Sequence, residues 1–409
     1  MTEPVYILGG WQSDFAERAG EGGFYQLLES ATLGALEDSG LMPADIEVAH
    51  LGNLAGELTS FQAQLGGLLV SIDPAFNGLP TSRHEAACAS GSLAGMAASA
   101  EIEARRYDVA LVVGAEILRN VGGQRAAELL SCAGWAGKDA FEGQSLWPQS
   151  FAETAAEYDL RYGLKHEHLG RIAEVNFDNA RFNPKAQTRH WELPDQAFGE
   201  NDDVNPVVSG HLRKMDCGRI TDGSAAVILA SQTFAADWAR HRGVDLASVP
   251  RIKGWGHTTA PTLLAEKFKA SRDAEYVFPH VRKAAVDAMD RAGIKDPVDL
   301  DSIEVHDCFS ISEYAAIDHF GITEPGKSWQ AVEDGRIERH GTTPINPSGG
   351  LLGLGHPVGA TGVRMLLDSA KQVTNSAGEY QVEGARNVAT LNIGGSFTTV
   401  ATFVVGVDS

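Results

Sequence analysis

Four segments of this 409-residue chain carry side chains able to do nucleophilic or proton-transfer chemistry. The first runs His84-Glu85-Ala86-Ala87-Cys88-Ala89-Ser90-Gly91-Ser92. A thiol at a helix start faces the positive end of the macrodipole, which lowers its pKa from about 8.5 and populates the thiolate. Such a thiol should be the one most readily alkylated, and the small neighbours leave room for an acyl group. Taken alone, the same cysteine reads more simply as a buried, inert thiol.

The second segment is Glu304-Val305-His306-Asp307-Cys308-Phe309-Ser310. It follows a strand and opens a helix, which is where α/β sheets place their sites. His306 and Cys308 lie two apart, on one side if the strand persists, and a His beside a thiol can exchange protons near neutral pH. Asp307 either orients a neighbour or caps the following helix. The third segment, Asn346 to Gly362, holds five glycines between Gly349 and Gly359 and one histidine, His356. It is not a dinucleotide fingerprint: the spacing is GxGxxxG, Pro357 interrupts it, and no apolar strand immediately precedes it. It reads as a loop whose backbone passes close to a ligand and aims His356 at it. The fourth, Leu391-Asn392-Ile393-Gly394-Gly395-Ser396-Phe397, is a hairpin whose N–H groups could face a negative oxygen. No G-x-S-x-G elbow or GxxxxGK loop occurs. His166 and His168, either side of Glu167, read as a solvated helix face.

The elements that must position these groups alternate between strand and helix. Val5–Leu8 is a strand, Tyr25–Ser39 a helix closed by Gly40, His84–Arg105 a small-residue helical segment, and Val109–Gly114 a buried apolar strand. Arg119 to Met215, with Trp135, Trp147 and Trp191, breaks the pattern and reads as an insertion. Strands return at Ser224–Ser231 and Val249–Gly256. Ile303–His306 leads into the helix Ser310–His319, the glycine-rich turn into a helix ending near Val373, and Val388–Ile393 and Thr398–Gly406 form a closing hairpin. This predicts a layered α/β fold whose last third repeats the first in outline.

Composition narrows the function classes. With 43% hydrophobic and 21% charged residues the chain is globular. Its 33 basic and 54 acidic residues give −21, which argues against nucleic acid and an anionic membrane surface. Arg181, Lys185 and Arg189 could still meet phosphates, although a solvated surface is the simpler reading. Cys88, Cys132, Cys217 and Cys308 make neither a disulfide framework nor a CxxC zinc site. No apolar run nears the roughly 20 residues a membrane helix needs, and MTEPVYILGG is unlike a signal peptide, so a cytoplasmic location is expected.

In this order the four segments resemble the blocks of the thiolases. Cys88-Ala89-Ser90 is similar to their Cys-x-Ser nucleophile block, and Gly355-His356-Pro357 to their Gly-His-Pro block. His306-Asp307-Cys308-Phe309 looks like the form found in the sterol-carrier-protein type, and Asn392-Ile393-Gly394 stands at the Cys-x-Gly block. Thr221-Asp222-Gly223-Ser224-Ala225-Ala226 is similar to a further family strand. The resemblance covers nearly the whole chain. It implies an α/β thiolase fold of two similar βαβαβαββ halves in an α-β-α-β-α arrangement, with an inserted loop domain. The halves would be 1–118 with 216–262, and 263–409; the insertion would be 119–215. It implies a coenzyme A thioester substrate, no cofactor or metal, and a homodimer or homotetramer. Carried over residue by residue, Cys88 is the nucleophile, His356 its base and then a donor, and Cys308 the second acid/base. His306 joins His356 in one oxyanion hole; the backbone N–H groups of Cys88 and Gly394 form the other. Substrate-binding residues are not identified. Asn392 departs from the family by replacing an acid/base cysteine. Two alternatives stay open: a related acyltransferase or retro-aldolase, with or without a small OB-fold partner, and a non-catalytic acyl-CoA binding protein.

Overall fold

The computed structural model describes residues 3–20 and 22–408. Nine strands make one sheet: β1 (Val5–Gln12), β2 (Val48–Gly52), β3 (Thr81–His84), β4 (Val109–Glu116), β5 (Gly223–Ser231), β6 (Arg251–Thr259), β7 (Ser302–Val305), β8 (Asn387–Gly394) and β9 (Thr399–Gly406). The order is β3-β2-β4-β5-β1-β6-β9-β8-β7. In the first five, β5 runs antiparallel to β4 and β1, while β3, β2 and β4 are parallel. The remaining four repeat this: β9 is antiparallel to β6 and β8, and β7 is parallel to β8. The place equivalent to β3 holds a single parallel bridge, Ile303 to Ile345. The two halves join where β1 meets β6 through Val5–Ile252 and Tyr6–Arg251.

This topology moves one expected boundary. β6 falls within 216–262, yet it pairs along its length with β9 and meets β1 at only two residues. It therefore opens the second half, and the division falls between β5 and β6.

Seven helices matter for the site: α1 (Gly23–Ser39), α2 (Ser90–Glu103), α3 (Trp147–Tyr162), α4 (His166–Ala180), α5 (Pro279–Ala292), α6 (Ser310–Phe320) and α7 (Val358–Val373). α2 and α7 pack on each other between the two halves, with α7 against β4, β5, β8 and β9. α1 covers the outer face of the first half and α5 that of the second, which produces the layered arrangement. β4 is buried along all eight residues, so its apolar run is continuous rather than alternating. α2 is rich in Gly, Ala and Ser because α7 crosses it closely. A Cβ on Gly91 would sit 2.6 Å from the Gly359 carbonyl oxygen.

The helix expected over His84–Arg105 begins only at Ser90. His84 ends β3, and the residues between form a turn in which Ala87 has φ +51°. The insertion packs on the second half: Phe151, Tyr158, Leu169 and Ile172 share a core with Phe309, Tyr314 and Ile317. His166 and His168 are not solvated. His168 is buried and His166 half-buried on α4, with His166 Nε2 against Asp216 (2.8 Å) and His168 Nε2 against Glu333 (2.9 Å), because this face of the helix meets the body of the protein. Among the described residues no helix is long and apolar enough to cross a membrane.

Candidate active site

The two central helices begin at one region, and each carries a reactive side chain just ahead of it. Cys88 precedes Ala89, the N-cap of α2; His356 precedes Pro357, the N-cap of α7. Ser90 shapes the first turn: its hydroxyl accepts from the Ala86 N–H (3.0 Å) and donates to the Ala87 carbonyl (2.6 Å). His306 follows the last residue of β7. Donor atoms of Cys88, His306 and His356 lie within 4.8 Å of one another, and the two imidazoles meet edge to face with centroids 5.0 Å apart.

The state of His356 follows from its partners. Thr361 Oγ1 donates to the Pro357 carbonyl (3.2 Å), so it accepts from His356 Nδ1–H at 2.7 Å. Nε2 is left bare, buried and without a hydrogen-bond partner among the described residues. Burial lowers the His356 pKa to about 3. Burial likewise pushes the Cys88 thiol up to about 12, although the Gly395 N–H works in the opposite direction. This reverses the expectation of a helix-stabilised thiolate: desolvation outweighs the helix start. The resting pair is a neutral thiol beside a neutral imidazole, so the proton must cross as the sulfur attacks.

The fourth segment lies beside the same thiol, where the Gly395 backbone opposes the effect of burial on Cys88. Gly394 is still in the ladder opposite Thr399, where a Cβ would collide with the Ala86 carbonyl oxygen. Gly395, at φ +63°, makes the turn.

Cys308 and Cys88 line one cavity, and burial holds the Cys308 thiol well above its usual range. The Cys308 sulfur is 3.9 Å from Ser312 Oγ. Asp307 does not cap α6. Its carboxylate accepts from Leu351 N (2.6 Å), Leu352 N (3.0 Å) and Asn176 Nδ2 (2.9 Å), tying the glycine-rich loop to the end of β7.

The cavity has a volume of about 250 Å³ and apolar walls that include Leu118, Leu130, Trp147, Phe151, Ile220 and Phe309. Trp147 and Phe151 come from α3, so the insertion supplies part of the wall. Lys214 and Arg219 also line it. The basic residues expected to meet phosphates do not: Arg181 pairs with Asp178 (3.4 Å) and Lys185 with Asp14 (2.8 Å), and none of Arg181, Lys185 and Arg189 borders the cavity.

Glu116 escaped the sequence reading. It is buried at the end of β4 and accepts from Asn53 Nδ2 (2.8 Å), Leu54 N (2.9 Å), Ala55 N (3.0 Å) and Gly359 N (3.1 Å). It thus ties the loop after β2 to the start of α7, while burial pushes its pKa up to about 7. The available signal was an acid closing a wholly apolar strand.

Two descriptions from known protein families match successive parts of the chain. "Thiolase, N-terminal domain" matches residues 15–233, and "Thiolase C-terminal domain-like" matches residues 264–407. The chain belongs to the thiolase family. The gap between the matches holds β6, in keeping with the division described above. An acetyl-CoA acetyltransferase of Methanothermobacter thermautotrophicus is 33% identical to this thiolase over 401 residues, covering 98% of each chain. Sterol carrier protein 2 of Gallus gallus is 28% identical over 416 residues, covering 99% of this chain and 72% of that protein. Among solved structures, the Ltp2-ChsH2(DUF35) aldolase superposes with a TM-score of 0.78 at 20% identity, over 99% of this chain and 98% of that one, which is a likeness of fold. This thiolase is an acyltransferase by its family.

Proposed function

We propose that this thiolase catalyses the reversible, coenzyme-A-dependent cleavage or Claisen condensation of 3-ketoacyl-CoA through an acyl-Cys88 intermediate. The observation that carries the reading is the meeting of Cys88, His306 and His356 within 4.8 Å, with a second thiol, Cys308, on the same cavity wall. In cleavage, His356 Nε2 takes the Cys88 proton as the sulfur attacks the 3-keto carbon. The C2–C3 bond breaks, the acyl group stays on Cys88, and Cys308 protonates C2 of the departing enolate. Coenzyme A then attacks the acyl-Cys88 thioester: its thiol proton goes to the Cys308 thiolate, its sulfur takes the acyl group, and His356 returns its proton to the Cys88 sulfur. Two thiols are needed because a group that stays acylated cannot also move protons.

Charge develops twice. The enolate oxygen falls to His306 and His356, and the tetrahedral oxyanion to the backbone N–H groups of Cys88 and Gly394. Each such donor contributes roughly 3–4 kcal/mol. Lys214 and Arg219 are the cations nearest the cavity and suit the phosphates of coenzyme A. The chemistry calls for no metal or cofactor. A cytoplasmic homodimer or homotetramer remains part of this reading.

A retro-aldolase working with an OB-fold partner is the second reading. The observation favouring it is the fold likeness to the Ltp2-ChsH2(DUF35) aldolase. One experiment separates the readings. Short, long and steroidal 3-ketoacyl-CoA thioesters are incubated with and without coenzyme A, and acyl-Cys88 is sought by intact-protein mass spectrometry. Coenzyme-A-dependent cleavage with an acyl-Cys88 adduct supports the thiolase reaction. Binding without an adduct or cleavage overturns it in favour of a non-catalytic acyl-CoA protein. Cleavage of a β-hydroxy thioester without coenzyme A favours the retro-aldolase.

A further inference from the structure

Asn392 stands at the fourth block in place of a cysteine, and the steps above give it no task. It is fully buried in β8 and bridges two elements from different halves. Its Oδ1 accepts from Ser92 Oγ of α2 (2.9 Å), and its Nδ2 donates to His306 Nδ1 (3.0 Å). Ser92 is 1% exposed, and its hydroxyl has no other acceptor among the described residues. A buried hydroxyl proton left unspent is costly, so Ser92 donates and the amide oxygen must turn toward it. That leaves the amide N–H₂ facing His306. A donor aimed at Nδ1 excludes a proton there, and burial keeps the ring neutral, so the single ring proton sits on Nε2.

We propose that Asn392, held by Ser92, sets the tautomer of His306, so that the ring offers Nε2–H to the substrate's thioester oxygen. Thr361 holds His356 in the opposite tautomer, with Nε2 bare. Two imidazoles with centroids 5.0 Å apart are thereby kept in different roles, one a donor and one a base. In the wrong tautomer His306 would point a lone pair at the enolate oxygen and repel it. Asn392 is a positioning residue: it acts through His306 and does not line the cavity. Its contribution to catalysis rests on the acyl-Cys88 reading above.

The test is long-range ¹H–¹⁵N correlation of the histidine rings in the full-length protein, with His306 assigned through His306→Gln. The expected spectrum shows His306 with a bare Nδ1 and a protonated Nε2, and His356 with the reverse. Ser92→Ala should convert the His306 signals to a tautomer mixture, and Ser92→Thr, which keeps the hydroxyl, should restore them. Asn392→Leu should mix the tautomers as well. It should also lower carbon–carbon turnover about tenfold, a smaller loss than the roughly hundredfold expected when an oxyanion donor is removed outright. Formation of acyl-Cys88 should fall far less. A His306 proton on Nδ1 in the wild-type protein overturns the assignment, and so does a Ser92→Ala spectrum identical to wild type. Expected tautomers without any acyl-Cys88 would instead overturn the proposed reaction, so the two failures are distinguishable. If Asn392→Leu does not fold, the wild-type and Ser92 spectra still decide.

Discussion

Cys88 and His356 occupy equivalent places in the two halves, each immediately before the N-cap of a central helix. The repeated architecture thus brings a nucleophile and a base together, although they lie far apart in the chain. Helices that begin side by side also put two positive helix ends at the site. Burial nevertheless dominates and leaves both groups neutral at rest.

A neutral Cys88 changes what alkylation should report. Cys132 is exposed, whereas the Cys88 thiol is pushed up to about 12. Iodoacetamide at pH 7.5 should therefore label Cys132 first, as read by peptide mass spectrometry. Cys88 should react slowly, faster as pH rises, and acyl-CoA should protect Cys88 while leaving the labelling of Cys132 unchanged. Rapid labelling of Cys88 at neutral pH would show a stabilised thiolate.

His356 sets two pH effects. Its folded pKa, about 3, lies below the usual 6.5, so between those values the unfolded chain binds more protons. Its stabilising contribution is complete above pH 6.5 and is lost as pH falls toward 3. Urea midpoints should drop over that window, and less steeply in His356→Gln. In the same window His356 stays neutral in the folded enzyme, so the acid limb of kcat/KM should not carry a pKa near 6.5. His356→Ala should lower turnover by at least about a hundredfold.

Cys308 tests the division of labour between the thiols. Cys308→Ala should still form acyl-Cys88 but fail to make or break carbon–carbon bonds. Exchange of the α-protons of acetyl-CoA in deuterated water, followed by NMR, should disappear with it. Full carbon–carbon activity in this variant would place the acid/base elsewhere.

Glu116→Gln keeps the shape of the side chain but puts an NH₂ among groups that all donate. One of the N–H groups of Leu54, Ala55 and Gly359 would face another donor. The expected loss is about 1–3 kcal/mol, read as a lower urea midpoint. Because the same carboxylate ties down the start of α7, turnover should fall more than the affinity for acyl-CoA.

Much of the candidate site was legible in the residues themselves. Cys88-Ala89-Ser90, His306-Asp307-Cys308-Phe309 and Gly355-His356-Pro357 are short and local, and each stands at a strand or helix end that periodicity reveals. β4 was legible because a strand buried on both faces leaves an unbroken apolar run. What the tertiary structure decided depends on partners remote in the chain. Burial, which no short window reports, reversed the expected pKa of Cys88, and remote carboxylates, Asp216 and Glu333, took up His166 and His168. The pairing of β6 with β9 moved the boundary between the halves. Glu116 reaches Gly359 across 243 residues of chain, and Asn392 reaches Ser92 across 300. A hydrogen bond at that separation leaves no trace in local spacing. Its geometry exists only once the two halves have closed around α2 and α7.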